Sequence, residues 1–337
     1  MNFNFFKIAD RSLIDWMSKN SQSIDISKGD YLIMENELLN SLYILVSGNL
    51  EVIKSKKESV PLILSVLKEG AMIGEMSFIE ENLPVASVIS SSDCKILKID
   101  FQLLRKEFKI NKILSRSFYK LVSTKLCNQL LSQNKLIGYS HSTYDAEKEP
   151  LRKFIALFSS LNEVDIDWIK NHGKLISIEK KDFLIYQGEI LNYIYLVLSG
   201  RGDVLLNTDE QNQIVGVSKR GELLGETSML VEEQISASAS VRASTQMDLL
   251  AISRKNLSKK INDDYDFANR FYKGISLMLS QRARDQLENI SLEFKSPRNN
   301  TYENEIDNMD EINLDLMSSI SKASKHFDRL CTQIYST

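Results

Sequence analysis

An internal repeat constrains this chain more than any other feature of its sequence. Three segments of the first half recur in the second half at nearly one spacing. The matching pairs are residues 43–48 with 195–200, 70–77 with 221–228, and 118–120 with 271–273. Their offsets are 152 (195 − 43), 151 (221 − 70) and 153 (271 − 118) residues. Solenoid repeats have periods of roughly 20–50 residues, so a period of this length indicates a duplicated domain.

Each copy shows the same order of predicted elements. A helical stretch is followed by short apolar runs that end at turn residues, and a longer helical pattern closes the copy. Runs such as residues 42–46 and 194–198, at short regular spacing, are typical of a compact β-roll or barrel. We therefore expect an α+β, mainly β fold. It consists of two tandem, eight-stranded β-rolls of the jelly-roll (double-stranded β-helix) kind, with flanking helices.

Changes in composition indicate where the copies begin and end. Residues 140–149 are polar and end at Pro150, and after Pro297 the chain becomes polar and acidic. An acidic stretch with few apolar residues is typical of a flexible linker. The predicted organisation is a first domain at 1–139, a linker at 140–150, a second domain at 151–295, an acidic linker at 296–312 and a C-terminal helix at 313–337.

Apolar residues in this last segment alternate four and three positions apart. They are Leu316, Ile320, Ala323, Phe327, Leu330 and Ile334. The spacing predicts an amphipathic helix, and it also suits a short coiled-coil seam. Two interpretations stay open: the helix packs on the core of this chain, or it docks on a partner protein or a second copy.

Composition and charge argue against several classes of protein. The chain has 43% hydrophobic and 26% charged residues, which is typical of globular domains, and its net charge of −3 favours neither nucleic acid nor an anionic membrane. No run approaches 18 apolar residues, so we expect no membrane span. The three cysteines are far apart and the three histidines are scattered. We therefore expect reduced thiols, a cytoplasmic protein and no metal site.

Two short motifs in each copy resemble a known family. One is the Ser-Gly turn after an apolar strand, at residues 47–48 and 199–200, and the other is a Gly-Glu pair at 74–75 and 225–226. Both copies resemble the cyclic-nucleotide-binding domain of catabolite activator proteins and protein kinase A regulatory subunits. The resemblance covers about residues 6–135 and 151–293. It implies cyclic-nucleotide-binding-type β-rolls, each with a phosphate-binding cassette that begins at the Gly-Glu pair.

The resemblance also implies a set of ligand-binding residues. After the Gly-Glu pair, a short helical turn aims backbone N–H groups at an anion, and the glutamate accepts a bond from a ribose 2′-hydroxyl. A glutamate at this position can also simply cap the next turn, so its ligand contact stays open. The candidate residues are Gly74, Glu75, Met76, Ser77, Val85 and Ala86 in the first cassette, and Gly225, Glu226, Thr227, Ser228, Ile235 and Ser236 in the second.

Both cassettes depart from the family pattern where an arginine neutralises the cyclic phosphate. Val85 stands at that position in the first copy, and only Ile235, Ser236 and Ala237 are candidates in the second, since no Lys or Arg lies between Glu226 and Val241. We therefore expect weak or absent binding of cyclic AMP and cyclic GMP. Alternatively, a Lys or Arg from a neighbouring strand or from the closing helix enters the pocket. The nearest candidates in sequence for the second copy are Arg242, Arg282 and Arg284.

The sequence thus favours a non-enzymatic regulatory protein whose two domains act as an interaction module. The alternative is a functional sensor of a cyclic nucleotide or related nucleotide that controls a partner protein. A transcription regulator is disfavoured because no helix-turn-helix is evident after the second roll. We find no catalytic motif such as a nucleophile elbow, a P-loop or a kinase signature, and we expect no cofactor. The expected partner is another protein or a second copy, reached through the C-terminal helix in one interpretation.

Overall fold

The computed structural model describes residues 3–54, 61–137, 156–207, 212–230, 236–293 and 314–336. These residues form two compact units. The first unit contains Met1–Asn128 together with Leu279–Leu292, and the second contains Gln129–Met278 and Glu293–Thr337. The predicted linkers at 140–150 and 296–312 lie outside the described residues. The domain boundaries inferred from the sequence therefore stay predictions.

The first unit contains eight strands and five helices among its described residues, before the segment that begins at Leu279. The strands are β1 (Gln22–Ile26), β2 (Tyr31–Ile33), β3 (Ser41–Ser47), β4 (Leu50–Lys54), β5 (Leu62–Leu67), β6 (Met72–Ile73), β7 (Ser87–Ser90) and β8 (Cys94–Asp100). The helices are α1 (Phe5–Ile8), α2 (Arg11–Lys19), α3 (Glu75–Glu80), α4 (Phe101–Ile110) and α5 (Lys112–Ile137), the last of which runs past Asn128.

The strands of the first unit form two four-stranded antiparallel sheets. Their orders are β1-β8-β3-β6 and β2-β7-β4-β5. Apolar side chains from both sheets form one core, in which Leu45, Leu50 and Ile96 are fully buried. The alternation of strands between two sheets that share a core is the jelly-roll arrangement expected from the short apolar runs.

The second unit repeats this arrangement. Its strands are β9 (Gly173–Ile178), β10 (Phe183–Ile185), β11 (Tyr193–Ser199), β12 (Arg201–Asn207), β13 (Asn212–Lys219), β14 (Leu223–Leu224), β15 (Ser240–Ala243) and β16 (Met247–Ser253). The helices are α6 (Ala156–Ser160), α7 (Glu163–His172), α8 (Thr227–Leu230), α9 (Arg254–Asp263), α10 (Tyr265–Glu293) and α11 (Leu314–Tyr335). The sheet orders are β14-β11-β16-β9 and β10-β15-β12-β13. Each sheet has its counterpart in the first unit.

The prediction of two tandem eight-stranded rolls with flanking helices is confirmed for the described residues. The rolls themselves are mainly β. Among all the described residues, however, more lie in helices than in strands. Two long helices, α5 and α10, account for much of this difference.

Helix α11 packs on its own unit. Phe327 meets Phe158 of α6 with ring centroids 4.9 Å apart, and Arg329 reaches Glu163 of α7 at 2.9 Å. Leu330 in the same face is fully buried. The apolar face of α11 is therefore covered by the second unit, for the residues whose burial is described. The interpretation in which this face docks on a partner protein is wrong for these residues.

Candidate ligand-binding cassettes

The first cassette begins where the Gly-Glu pair predicted. Gly74 has a φ of +90° and precedes α3, and a Cβ at this position would lie 3.0 Å from the Ser41 carbonyl. This left-handed conformation next to a neighbouring strand suits glycine alone. Glu75 follows it and is buried, with 3% of its surface exposed. Ser77 and Ala86 are also buried, Met76 and Val85 are half-buried, and all six candidate residues of the first copy lie within the described segment 74–86.

The buried glutamate of this cassette is bonded to the chain itself. Lys125 of α5 donates from its ammonium group to a carboxylate oxygen of Glu75. The side chains are 14% and 4% exposed, respectively, so the ion pair is shielded from water. A charge-assisted bond of this kind is about twice as strong as a neutral one. The carboxylate that would accept a ribose hydroxyl is thus already an acceptor for a lysine.

A second lysine approaches the segment of the first cassette that contains Val85. Lys54, at the end of β4, donates to the Val85 carbonyl at 2.5 Å and forms an ion pair with Glu35 at 2.6 Å. The lysine and glutamate side chains are 17% and 15% exposed. A lysine from a neighbouring strand thus approaches the first cassette. Its charge, however, is balanced by Glu35.

Two arginines bind the end of the first cassette. Arg105 of α4 pairs with Glu81, donates to the Phe78 carbonyl at 3.1 Å and lies over the Phe78 ring. Arg284, in the part of α10 that belongs to the first unit, pairs with Glu80 at 2.6 Å. Arg284 was a candidate for the second pocket, and its place in the first unit corrects that expectation.

Aromatic packing fixes the other side of α3. The ring of Phe78 lies 5.1 Å from Phe101 and 5.4 Å from Phe118 of α5. Nearby, burial raises the pKa of Tyr119 to about 12, so its hydroxyl stays protonated at neutral pH. The cassette is therefore held by an apolar contact on one side and by ion pairs to helices on the other.

The second cassette has the same opening with different surroundings. Gly225 has a φ of +85°, Glu226 is buried, and Thr227 begins the four-residue helix α8. The Ser228 hydroxyl donates to the Gly225 carbonyl at 2.7 Å, and Arg254 of α9 donates to the Ser228 carbonyl at 2.7 Å. Four of the six candidate residues therefore lie together here.

The remaining residues of the second cassette are only partly described. Ile235 lies outside the described residues, and Ser236 forms an isolated β-bridge with Ile190. Arg242 pairs with Asp203 on the neighbouring strand at 3.3 Å, which agrees with a structural surface charge. Arg282, the third candidate cation, is half-buried on α10 within the first unit.

Equivalent hydrogen bonds in the two copies identify a candidate site residue of the second cassette that the sequence motifs did not. The equivalent hydrogen bonds are the Asn36 amide to the Pro84 carbonyl and the Gly188 amide to the Ala237 carbonyl. The residue after Pro84 is Val85, and the residue after Ala237 is Ser238. Ser238 is thus the counterpart of Val85, one position beyond the three residues considered. Neither Val85 nor Ser238 carries a charge.

The register also gives the counterparts of the two lysines. Ile53 and Leu205 pair with Ser87 and Ser240, so the residue after each, Lys54 or Leu206, occupies the equivalent position. The offset of 153 that relates residues 118–120 to 271–273 relates Lys125 to Met278. Met278 is buried, with 3% of its surface exposed. The second copy therefore has two uncharged residues where the first has two lysines.

Two features are absent from the described residues. No group of three or more His, Cys, Asp and Glu side chains that could hold a metal ion occurs among them. Within the same part of the chain, no helix is long and apolar enough to span a membrane.

The fold and the cassettes define a protein with two β-rolls, each opening its candidate site with a glycine–glutamate turn. The sequence model of the cyclic nucleotide-binding domain family matches residues 24–111 and 175–264 of this chain. Together these two matches cover more than half of the chain. The chain therefore belongs to the cyclic nucleotide-binding domain family.

Individual relatives are distant. Mouse cGMP-dependent protein kinase 2 is 21% identical over 282 residues, covering 82% of this chain and 32% of the kinase. The potassium voltage-gated channel unc-103 of Caenorhabditis elegans is 28% identical over 113 residues, covering 34% of this chain and 13% of the channel. The aligned part of this chain thus covers less than a third of the full length of either relative.

Solved structures with a similar arrangement include the regulatory domain of Toxoplasma gondii protein kinase A with cAMP. It is 16% identical, with a TM-score of 0.30, and the alignment covers 86% of this chain and 92% of that one. The regulatory subunit of a cAMP-independent protein kinase A from Trypanosoma cruzi, bound to guanosine, is 18% identical with a TM-score of 0.28, covering 78% and 84%.

Proposed function

We propose that this chain is a non-enzymatic, cytoplasmic regulatory protein whose two rolls act as an interaction module without a requirement for cyclic AMP or cyclic GMP. The observation that carries the proposal is the pair Val85 and Ser238 at the position where the family's arginine stands. Free, buried cysteines suit a reducing compartment.

The missing arginine lowers the affinity for a cyclic phosphate. Hydrogen bonds to charged groups contribute about 1.5–3 kcal/mol each, so the loss of a two-bond arginine weakens binding by roughly 100-fold or more. Lys54 does not replace it, because its ammonium group already balances Glu35 and bonds the Val85 carbonyl. A buried anion without a paired charge has a high desolvation cost.

Exposed apolar residues beside the cassettes support a protein partner. In the loop between β2 and β3, Met34 and Leu38 are 47% and 78% exposed. At the equivalent positions of the second unit, Tyr186 and Ile190 are 57% and 63% exposed. Exposed apolar side chains that form a patch mark interaction surfaces, and this exposure recurs at the same place in both copies. We infer a partner that is a protein or a second copy of this chain.

Isothermal titration of the unmodified protein with cyclic AMP and cyclic GMP tests this proposal. We expect binding that is weak or absent, roughly 100-fold or more weaker than in a site that has the arginine. Low-micromolar affinity for either nucleotide contradicts the proposal and favours a sensor.

The second candidate function is a sensor of a different nucleotide. Both cassettes have a positive-φ glycine followed by a buried glutamate, which are the residues that the family resemblance implies for ligand contact. A thermal-shift panel of nucleosides, mononucleotides and cyclic dinucleotides separates the two functions. A ligand at 100 times its Kd adds about 2.7 kcal/mol to the free energy of unfolding and raises Tm, whereas an interaction module shows no shift across the panel.

A further inference from the structure

The junction between α4 and α5 exposes three large apolar side chains. Leu103, Ile110 and Ile113 are 36%, 74% and 60% exposed. Leu103 and Ile110 lie two turns apart along one face of α4, and Ile113 lies in the first turn of α5. Single exposed apolar residues are common on protein surfaces, whereas a group of them marks a surface that binds another molecule. The first unit therefore presents a candidate docking surface at this junction.

Three lysines lie among these apolar side chains. Lys106, Lys109 and Lys112 are all exposed. The acidic residue between them, Glu107, is half-buried and accepts a bond from the side chain of Asn111 at 3.2 Å. The exposed charge at the junction is therefore positive. The junction patch is defined as Leu103, Lys106, Lys109, Ile110, Lys112 and Ile113.

Hydrogen bonds at the two helix junctions align the first copy with the second. The Asn111 amide donates to the Glu107 carbonyl at 2.8 Å, and the Asp264 amide donates to the Lys260 carbonyl at 2.9 Å. The side chains of Asn111 and Asp264 each accept a bond from the backbone amide three residues later, at 3.0 Å and 2.9 Å. Residues 111 and 264 are therefore equivalent, with the offset of 153 (264 − 111) that also relates 118–120 to 271–273.

The second copy is polar at the positions of the junction patch. The three apolar residues correspond to Asn256, Asp263 and Asp266, which are all exposed. Lys106 corresponds to Lys259, but Lys109 and Lys112 correspond to the uncharged residues Asn262 and Tyr265. The roll thus folds with polar and acidic residues at this junction. The fold does not require the apolar and basic residues of the first copy, and a binding role accounts for them.

One segment of this chain has a composition that complements the junction patch. Residues 303–312, outside the described part of the chain, contain five acidic residues and no Lys or Arg. Among these acids, Ile306, Met309 and Ile312 follow one another at intervals of three. Acidic groups beside three lysines favour association, and contact between the apolar side chains removes apolar surface from water.

We propose that the junction patch is a docking surface for residues 303–312 of a second copy of this chain. The inference rests on the proposed function in taking the partner to be a second copy, and not on the affinity for nucleotides. Each copy carries one patch and one segment, so a dimer with two-fold symmetry forms the contact twice. The second contact forms within the complex, at a high effective concentration, and therefore strengthens the dimer beyond a single contact.

Sedimentation equilibrium of the full chain without nucleotide tests the proposal. We expect a monomer–dimer equilibrium whose Kd rises with salt concentration, because ions screen the lysines and the acids. The variant Ile110→Asp with Ile113→Asp introduces the residues of the second copy and should raise the Kd of the dimer about 10-fold or more. Val66→Asp with Val164→Asp, at valines that are 53% and 69% exposed elsewhere, is the matched control and should leave this Kd unchanged.

A second variant tests the charges of the patch separately. Lys109→Asn with Lys112→Tyr also introduces residues of the second copy and removes two positive charges. We expect a dimer that is weaker than that of the unmodified protein and less sensitive to salt. Circular dichroism checks that each variant is folded, which we expect because substitutions at exposed positions change stability little.

A fluorescein-labelled peptide of residues 301–313 identifies the occupant of the patch. In fluorescence anisotropy we expect it to bind the full chain, and an excess of unlabelled peptide should dissociate the dimer. Its affinity for Ile110→Asp with Ile113→Asp should be about 10-fold or more weaker. The control is the same peptide with its five acids replaced by the corresponding amides, which should also bind more weakly.

Three outcomes would overturn the proposal. One is a monomer at every protein concentration, and another is a dimer whose Kd is the same in Ile110→Asp with Ile113→Asp. The third is a peptide that binds to a chain which stays monomeric, since the occupant would then not be a second copy. Low-micromolar binding of cyclic AMP contradicts the proposed function and leaves all these measurements unaffected, so the two failures are distinguishable.

Discussion

At the scale of single residues, the Ser-Gly turn shows how a short motif specifies a strand end. Gly48 follows β3 with a φ of +96°, and a Cβ there would lie 2.4 Å from the Asp93 carbonyl oxygen. Gly200 does the same after β11, where a Cβ would lie 2.1 Å from the Gln246 carbonyl oxygen. Both the backbone angle and the close approach of the next strand require glycine. This is why the pair recurs in both copies.

We predict that Gly48→Ala destabilises the first unit more than Gly29→Ala does. Gly29 has a nearly equal φ of +94° but no atom within 4 Å of an added Cβ. The left-handed conformation costs each variant about 1–2 kcal/mol, and steric overlap adds about 1–3 kcal/mol for Gly48. Urea unfolding followed by Trp16 fluorescence in a Trp168→Phe background measures the difference, because the chain has only two tryptophans. Equal losses in the two variants contradict the steric argument.

The sequence predicted part of the candidate site and missed the rest for a physical reason. Glycine and glutamate that are adjacent in sequence must also be adjacent in the fold, so the openings of both cassettes could be located. Lys54 and Lys125 reach the first cassette through long side chains from a strand and a helix, and no local pattern indicates this. The available signal was the comparison of the copies, which aligns Lys54 with Leu206 and Lys125 with Met278.

At the scale of secondary-structure elements, α11 is held to the second unit by both apolar and polar contacts. Ala323 and Leu330 are fully buried, and at its last turn the Tyr335 hydroxyl donates to Asp248 of β16 at 2.9 Å. The four-and-three spacing predicted the helix correctly, and the residues of its apolar face from Ala323 to Ile334 are buried. The spacing could not identify what covers that face, because α6 and α7, which do so, lie about 150 residues earlier.

We predict that Leu330→Ala destabilises the second unit by about 2–5 kcal/mol, the usual cost of a cavity at a fully buried leucine. Lys325→Ala, at an exposed position on the same helix, should change the free energy of unfolding by less than about 0.5 kcal/mol. Trp168 fluorescence in a Trp16→Phe background follows the second unit during urea unfolding. A loss below about 1 kcal/mol for Leu330→Ala would show that α11 is not part of this core.

The stability that α11 gains from its contact with β16 depends on pH through Asp248. Hydrogen bonds donated by Ser177, Tyr335 and Ser199 lower the pKa of Asp248 below its usual 3.8, against the opposing effect of burial. Because the folded pKa lies below the unfolded one, the stabilisation is present above about pH 4 and is lost as the pH falls through the folded pKa.

We therefore predict that Asp248→Asn lowers the free energy of unfolding of the second unit at about pH 6, and that the difference from the unmodified protein shrinks at about pH 3. Urea unfolding at the two pH values measures both differences. Asp263→Asn, at an exposed position outside this cluster, is the control and should show no such convergence. A difference between Asp248→Asn and the unmodified protein that is independent of pH contradicts the argument.

At the scale of the whole molecule, the division into two units does not follow the order of the sequence. Leu279–Leu292, the later part of α10, belongs to the first unit, although it follows the whole second roll. Composition placed a boundary near residue 295 and gave no sign of this assignment. The period of 3.6 residues that identifies a helix is continuous along α10, so it cannot reveal that two parts of one helix join different cores.

We predict that Arg284→Met destabilises the first unit although residue 284 lies late in the sequence. Arg284 is 14% exposed and its partner Glu80 is 6% exposed, so removal of the arginine costs on the order of 3 kcal/mol. Trp16 fluorescence should report the lower urea midpoint. Lys259→Met, at an exposed position on α9, should leave that midpoint unchanged. An unchanged Trp16 midpoint in Arg284→Met would contradict the assignment of this segment.

The placement of residues 279–292 also has a consequence for the timing of synthesis. The ribosome adds roughly 5–20 residues per second, and 164 residues (292 − 128) separate the end of the first stretch of the first unit from the end of its second stretch. The first roll therefore waits roughly 8–33 s for the helix segment that carries Arg284. During this interval the first cassette lacks the contact that Arg284 makes with Glu80, and the second unit, which includes residues up to Thr337, is completed later still.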